Sequence, residues 1–275
     1  MNPFAEFNQR ILDFANAPEN RRLLAGTGTY STPFRGSLFG MELAADVANE
    51  LERRPVDVLW LGLNPNVPES LERILDPTPP DISAAQSTLS LQIESGFFGE
   101  IDFQAYVNEQ QFRRGTWNPV NNPQGGWSFY QEILEVVKPA LIVTMANFVP
   151  WGSKDANDFI RPLRELDPEL VKRIFAFCDE LNADIVKALR PRLILAPLSL
   201  REYTNNSWRE NLTTHEVKLN KRTFRFYTGE ITRGSRQARI AHVPHPSSLR
   251  FTNSDRERIS TALTKVLGET LSQSE

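Results

Sequence analysis

The segment VDVLWLGLNP, residues 56–65, decides the fold of this chain. It follows Pro55 and is almost entirely apolar up to a turn that contains Gly and Asn-Pro. A short apolar run bounded by turn residues is typical of a strand buried on both faces, as parallel strands are. Because parallel strands need crossover connections, usually helices, the segment predicts an α/β protein with helices on both faces of a sheet.

Other segments repeat this pattern along the chain. Apolar runs predict further strands at residues 140–146, 193–198 and 239–243, and residues 215–228 resemble a hairpin. Apolar periodicity and capping residues predict helices at 4–14, 38–53, 127–137, 167–189 and 254–271. We therefore expect a three-layer α/β/α fold around a four-stranded, mainly parallel sheet.

The chain has no visible linker, and residues 1–275 are expected to form a single domain. Within it, residues 1–54 are predicted to be an N-terminal helical segment. Residues 65–122 are rich in Pro, Gly, Ser and Asn and are predicted to be an irregular insertion.

The composition argues against several classes of protein. The single cysteine, Cys178, cannot form an internal disulfide or a thiolate metal cage, and its helical position predicts a core thiol. No secretory leader and no apolar run of bilayer length is visible. We therefore expect a cytoplasmic monomer that does not cross a membrane.

Charge is distributed unevenly along the chain. The net charge is −3, yet the region from Arg201 to Arg258 contains 12 Lys and Arg against 6 Asp and Glu. Of the 31 basic residues, 24 are Arg, whose planar guanidinium suits bidentate contacts with phosphate. A basic region on an acidic protein fits a nucleic-acid binder, although charge alone favours a solvated surface with salt bridges.

Polar side chains follow three of the predicted strands. Asn64 follows the first strand and Asn147 the second. His245 follows the fourth strand and lies between two prolines, which restrict the backbone around it. Ligands of open parallel sheets bind beyond the carboxyl ends of the strands, so these two amides and one imidazole are expected to share a cleft.

In this order, the segments resemble the motifs of the uracil-DNA glycosylase superfamily. The GLNP segment at 62–65 resembles the Gly-x-Asn-Pro first motif of its single-strand-selective and mismatch-specific branches. The HPSSL segment at 245–249 resembles the His-Pro-Ser-Pro-Leu last motif, with Ser248 in place of the second proline. The NFVP segment at 147–150 is similar to the segment with the base-reading Asn, and GFFG at 96–99 lies where the family has the aromatic residue that stacks on the flipped base.

The resemblance extends over roughly residues 56–250 and implies a base-excision enzyme that needs no metal or other cofactor. It implies that Asn64 orients the attacking water, although some family members have an Asp there, and that His245 donates a hydrogen bond to the departing base. The residues it places around the flipped base are Gly62, Asn66, Phe98 and Asn147. None of the motifs contains a lysine, which favours hydrolysis by a monofunctional enzyme over Schiff-base strand scission.

The same resemblance implies contacts with DNA. Leu249 would be an apolar wedge that fills the gap left by the flipped base, beside Ser247 and a phosphate-binding Arg250. The alternative for Leu249 is a side chain that packs under its own loop. Arg233 and Arg236 belong to an Arg-rich stretch that is expected to enter the same loop region and to hold the DNA backbone.

The identity of the excised base stays open at this point. Asn66 stands where the uracil-only branch has an aromatic residue that blocks substituents at pyrimidine C5, so a repair enzyme for uracil and 5-substituted pyrimidines is favoured. Aromatic and amide residues in the 65–122 insertion fit an alternative: an antiviral defence enzyme that excises bulky bases, such as glucosylated hydroxymethylcytosine, from phage DNA.

Two alternatives come from other classes of protein. A non-catalytic reader of modified bases could share the fold and the polar positions. A hydrolase or nucleotide-processing enzyme would need a serine elbow or a phosphate-binding loop, and neither motif is present in the sequence.

Overall fold

A computed structural model describes most of the predicted core. The described residues are 6–7, 10–11, 13–14, 17–23, 56–63, 128–138, 143–150, 160–161, 164–204, 208, 211–233, 236–245 and 251–272. The predicted helix at 38–53 and the predicted insertion at 65–122 lie outside these ranges.

The strands form one sheet with the order β2-β1-β3-β6-β5-β4. Their bounds are β1 Val58–Gly62, β2 Val143–Asn147, β3 Leu193–Pro197, β4 Thr213–Lys218, β5 Thr223–Arg233 and β6 Arg236–Val243. Strands β2, β1, β3 and β6 are parallel to one another, whereas β5 and β4 extend the sheet in antiparallel pairing.

The prediction of a four-stranded sheet is therefore wrong, because the sheet is mixed and has six strands. The predicted hairpin at 215–228 does form, between β4 and β5. Strand β5, however, continues to Arg233, and its second half pairs with β6 from Tyr227↔His242 onward. This pairing adds the hairpin to the parallel strands.

Helices cover both faces of the sheet. Their bounds are α1 Ser128–Val137, α2 Pro168–Leu189, α3 Leu200–Tyr203 and α4 Asn253–Ser272, with a 3-10 helix at Pro18–Leu23. The described residues between 6 and 14 are also helical, as predicted. Helix α2 begins where the sequence predicts, because the Asp167 carboxylate accepts a hydrogen bond from the Leu170 amide at 3.0 Å.

Side chains of β1 alternate between two cores. Leu59 and Leu61 pack with α2 on one face of the sheet, whereas Val58 and Trp60 pack with α1 and α4 on the other. A strand covered on both faces needs apolar residues at every position, which explains the unbroken apolar run of β1. The described residues thus form three layers: helices, sheet and helices.

Cys178 lies on the sheet-facing side of α2 and is fully buried, which confirms the prediction of a core thiol. Burial raises the pKa of its thiol well above the ordinary value, so the sulfur stays protonated. None of the helices in the described ranges combines the length and the apolar character needed to cross a bilayer.

Candidate functional site

The carboxyl ends of the four parallel strands lie along one edge of the sheet, called here the carboxyl edge. Strand register places Gly62 beside Asn147 and Pro197 beside Val243. His245 follows two residues after the end of β6, at the same edge. The structure therefore brings Gly62, Asn147 and His245 to the carboxyl edge.

The segments that leave β1 and β2 stay attached to each other beyond the strands. The Phe148 amide donates to the Gly62 carbonyl at 2.9 Å, and the Val149 amide donates to the Leu63 carbonyl at 2.8 Å. Asn64 comes next in the chain and lies outside the described residues. Its backbone neighbour Leu63 is thus held against the loop after β2.

The amide of Asn147 lies directly over the α-carbon of Gly62. A β-carbon on Gly62 would lie 2.5 Å from Oδ1 of Asn147, which is closer than such atoms can approach, and 3.5 Å from its Cγ, which is an ordinary contact. Asn147 is only 3% exposed, so its amide is enclosed at the end of the strand. Gly62 is therefore needed for this close approach, since any larger residue would displace the amide.

Asn182 of α2 holds the loop that follows β2. Its Nδ2 donates to the carbonyl of Phe148 at 2.8 Å and to the carbonyl of Cys178 at 2.7 Å, and the residue is 1% exposed. Because Phe148 follows Asn147 directly, this bond fixes the backbone beside the candidate base-reading amide. Asn182 is not among the residues predicted from the sequence, although a polar residue among the buried positions of an amphipathic helix usually has a specific partner.

Tyr130 of α1 anchors the start of the loop that contains His245. Its hydroxyl donates to the Pro244 carbonyl at 2.6 Å. Burial raises the pKa of Tyr130 well above its ordinary value, so the phenol stays protonated and remains a donor. Together with the two flanking prolines, this bond restricts where the backbone of His245 can lie.

The imidazole of His245 is neutral at neutral pH. The residue is exposed as a whole, yet surrounding protein atoms partly desolvate the ring and lower its pKa from the ordinary value of 6.5. Desolvation disfavours the charged form of a histidine. A neutral imidazole at this position can donate one hydrogen bond without bringing a positive charge to the site.

A buried polar network begins at His242, the next-to-last residue of β6. The His242 imidazole donates from Nε2 to the Trp208 carbonyl at 3.0 Å, and the Trp208 indole donates to Asp179 at 2.6 Å. His242 is fully buried, and this desolvation lowers its pKa. Its position implies a structural role, because protein encloses the ring on all sides.

Arg201, four residues after β3 and within α3, is a further cation near this edge that is not among the residues predicted from the sequence. Its guanidinium lies over the ring of Tyr227, 4.2 Å from the centroid. The predicted candidates follow the first, second and fourth strands of the sequence, and none follows the third. The same rule applied to β3 would have found Arg201.

The structure separates Arg233 and Arg236 from the other candidates. These residues pair with each other at the turn between β5 and β6, where β6 begins. His245 follows the opposite end of β6, which is eight residues long. At about 3.3 Å per residue, roughly 23 Å separates the two ends, so the expectation that this Arg-rich stretch enters the His245 loop region is not met.

Six predicted site residues lie outside the described residues: Asn64, Asn66, Phe98, Ser247, Leu249 and Arg250. Among the residues that are described, no group of three or more His, Cys, Asp or Glu is arranged to hold a metal ion.

Comparison of the chain with protein-family models, with curated proteins and with solved structures found no match. The residues that can support a function are a buried amide and a neutral imidazole at one edge of a parallel sheet. Such an edge can present hydrogen-bond donors and acceptors to a polar, planar ligand.

Proposed function

We propose that the chain is a monofunctional DNA glycosylase that flips a uracil or a 5-substituted pyrimidine out of DNA and hydrolyses its N-glycosidic bond. The observation that carries the proposal is the Asn147 amide seated on Gly62, at the same edge as the neutral His245. An enclosed amide offers a donor and an acceptor together, which is what the edge of a pyrimidine requires.

The reaction needs electrostatic stabilisation more than it needs a strong acid. As the bond between C1′ and the base breaks, its electron pair leaves with the base, and the sugar becomes positively charged. Water then adds to C1′ and loses one proton to the solvent, and the base anion takes up one proton, so the products are the free base and an abasic site. In this proposal Asn64 positions the water.

His245 would donate a hydrogen bond to the base oxygen on which negative charge develops. A preorganised donor of this kind is worth about 3–4 kcal/mol in the transition state. The neutral imidazole suits the task, because an imidazolium would repel the positively charged sugar. Tyr130 supports the role by holding the Pro244 carbonyl next to His245.

The sheet also provides room for a base. Strands β2 and β6 are separated by β1 and β3. At a spacing of about 4.8 Å between neighbouring strands, their ends lie roughly 14 Å apart. A flipped nucleotide can lie across the ends of β1 and β3, with Asn147 at one side and His245 at the other. Gly62 presents no side chain there.

The decisive experiment is a mass-spectrometric screen of released bases. Three DNAs would be incubated with the chain: one with uracil, one with 5-hydroxymethyluracil and one with glucosylated hydroxymethylcytosine. We expect release of uracil and 5-hydroxymethyluracil, with alkali-labile abasic sites left in the DNA. Asn147→Ala and His245→Ala should lose most of this activity, whereas Arg233→Gln, at the opposite edge of the sheet, should keep it.

Each other outcome selects a different function. Release of the glucosylated base alone would indicate that the chain is an antiviral glycosylase and not a repair enzyme. Retention of modified DNA in a gel without any base release would indicate a non-catalytic base reader. No release from any of the three DNAs would contradict the glycosylase proposal.

A further inference from the structure

The hairpin formed by β4 and β5 projects past the carboxyl edge of the sheet. Strand β5 pairs with β6 from Tyr227↔His242 onward, so its first four residues, 223–226, pair with β4 alone. At about 3.3 Å per residue, the turn at 219–222 lies roughly 13 Å beyond Tyr227. This turn is closed by the Leu219 amide, which donates to the Arg222 carbonyl at 2.9 Å. The hairpin thus stands beside the exit of β6, where His245 lies.

The projecting end of the hairpin is basic. Residues 217–229 contain four Lys and Arg and no Asp or Glu. Lys218, Lys221 and Arg222 are all exposed, and Arg258 in the first turns of α4 joins them by donating to the Lys218 carbonyl at 3.5 Å. We call these four residues the hairpin surface.

Among the described residues, Glu216 is the acidic side chain that pairs with the cations of this hairpin. Glu216 pairs closely with Arg225, at 2.7 Å, whereas its other oxygen is 3.9 Å from Lys218 Nζ. The Lys218 side chain is 82% exposed, so that longer ion pair is weak and screened by salt. The four residues of the hairpin surface are all basic, and the hairpin lies next to the end of β6 and the candidate site.

One cation of the hairpin surface is already held in place. The Arg222 guanidinium lies over the ring of Phe251, 4.6 Å from the centroid, and Phe251 packs edge-on against Phe224. A guanidinium held on a rigid aromatic ring loses less conformational freedom when it binds, and its planar fork matches the oxygens of a phosphate. Phe251 comes two residues after the HPSSL motif in the sequence, so the hairpin contacts the segment that follows this motif.

We infer that the hairpin surface binds the sugar–phosphate backbone of DNA beside the flipped base. This rests on the proposed function, since it takes DNA as the substrate. Charge complementarity favours DNA over an anionic membrane: the large apolar side chains that are exposed among the described residues, Val136 and Leu166, lie on other elements. Peripheral membrane surfaces combine basic residues with exposed apolar ones.

The test measures binding of unmodified duplex DNA by fluorescence anisotropy at several salt concentrations between 0.05 and 0.2 M, about the range over which backbone contacts are lost. The double variant Lys221→Gln/Arg222→Gln removes two charges from the hairpin surface. The matched control, Arg233→Gln/Arg236→Gln, removes two charges from the β5–β6 turn at the opposite edge.

We expect the first double variant to bind roughly tenfold more weakly and to lower the slope of log Kd against log salt by about 2. The control should keep the wild-type slope, and Arg222→Lys, which keeps the charge, should also stay close to it. Equal slopes for the two double variants, or no measurable binding of DNA by the wild type, would overturn the inference. Binding to phosphatidylserine vesicles in place of DNA would likewise overturn it.

Because binding is measured without base release, the two proposals fail separately. Salt-dependent binding through the hairpin surface without any excision would contradict the glycosylase proposal and support the hairpin surface. Excision that is insensitive to Lys221→Gln/Arg222→Gln would support the glycosylase proposal and contradict DNA binding by the hairpin surface.

Discussion

The side-chain oxygen of Asn147 lies 2.5 Å from the point that a β-carbon on Gly62 would occupy. The two residues are in register at the ends of neighbouring parallel strands. The position of the amide therefore depends on the absence of a side chain at residue 62, and a single methyl group added there is a direct test of the site.

We expect Gly62→Ala to displace the Asn147 amide while leaving the strands paired. The atom that must move is the end of a side chain, so the free energy of unfolding should fall by only about 1 kcal/mol. Excision should fall about 10- to 100-fold, because the hydrogen bonds to the base are lost. Single-turnover base release and urea unfolding measure the two effects.

The control for this prediction is Gly268→Ala in α4. A β-carbon there would meet only Val137 Cγ1, at 3.9 Å, among the described residues, so the variant should be slightly more stable and fully active. Excision at the wild-type rate by Gly62→Ala would show that the position of this amide does not matter for the reaction.

The pH dependence of excision should reflect His245. Its pKa lies below 6.5, so the ring is neutral between pH 7 and 8, and single-turnover rates should be constant there. Below that range protonation should slow excision, because a positive ring opposes the positive charge that develops on the sugar. His245→Gln should be slow at every pH and should lack this acidic decline.

An NMR titration of the His245 ring provides an independent measurement of its pKa. A midpoint below 6.5 that coincides with the fall in rate is the expected result. A midpoint above 6.5, or an unchanged acidic decline in His245→Gln, would assign the titration to another group.

Asn182 is expected to be a positioning residue for the loop after β2. Asn182→Leu leaves the buried Phe148 carbonyl without its donor and should lower the free energy of unfolding by about 1–3 kcal/mol. It should also slow excision, since the backbone next to Asn147 is released. Cys178→Ala is the matched control, because it loses buried volume in the same helix without removing this bond.

Circular dichroism measures the folded fraction of each variant. After correction for this fraction, Asn182→Leu should excise the base more slowly than Cys178→Ala. If Cys178→Ala and Asn182→Leu slow single-turnover excision equally at the same folded fraction, Asn182 contributes to stability alone.

Acid should destabilise the protein through its histidines. The pKa values of His215, His242 and His245 are all lowered from 6.5, first of all by desolvation. Below pH 6.5 the unfolded chain binds protons that the folded chain does not, so stability falls as pH decreases from 7.5 to 5.5. Glu216, whose pKa is lowered from 4.5, acts only at lower pH.

The urea midpoint at pH 7.5 and pH 5.5 measures this loss of stability. The fully buried His242 should account for the largest share, so His242→Gln should be less stable at pH 7.5 but should lose less on acidification. A midpoint that is unchanged or higher at pH 5.5 would contradict the prediction.

Excision should be independent of divalent metals. In the proposed mechanism, hydrogen-bond donors stabilise the departing base, so a chelator such as EDTA should leave the single-turnover rate unchanged. A Mg²⁺-dependent nuclease in the same buffer, inactivated by the chelator, is the control. Loss of excision that added Mg²⁺ or Zn²⁺ restores would assign part of the chemistry to a metal.

The local structure of the core could be predicted from the sequence. The apolar segments at residues 56–63 and 193–198 form β1 and β3, and α2 begins and ends within one residue of the predicted bounds. Both features depend on near neighbours in the chain: unbroken apolar character for a strand covered on both faces, and a cap such as Asp167 for a helix. The positions of Asn147 and His245 at the ends of their strands could also be predicted from the sequence.

The sequence by itself thus determined the four parallel strands, the hairpin and the three long helices, and it placed Asn147 and His245 at strand ends. Only the tertiary structure decided that β5 runs on to pair with β6, that Arg233 and Arg236 lie at the far edge and that Asn182 bonds to the Phe148 carbonyl. Periodicity specifies which face of an element is buried, but not which distant element covers it. Strand register and the contacts between distant elements form only when the chain packs. The close contact between the Asn147 side chain and Gly62 is one such contact.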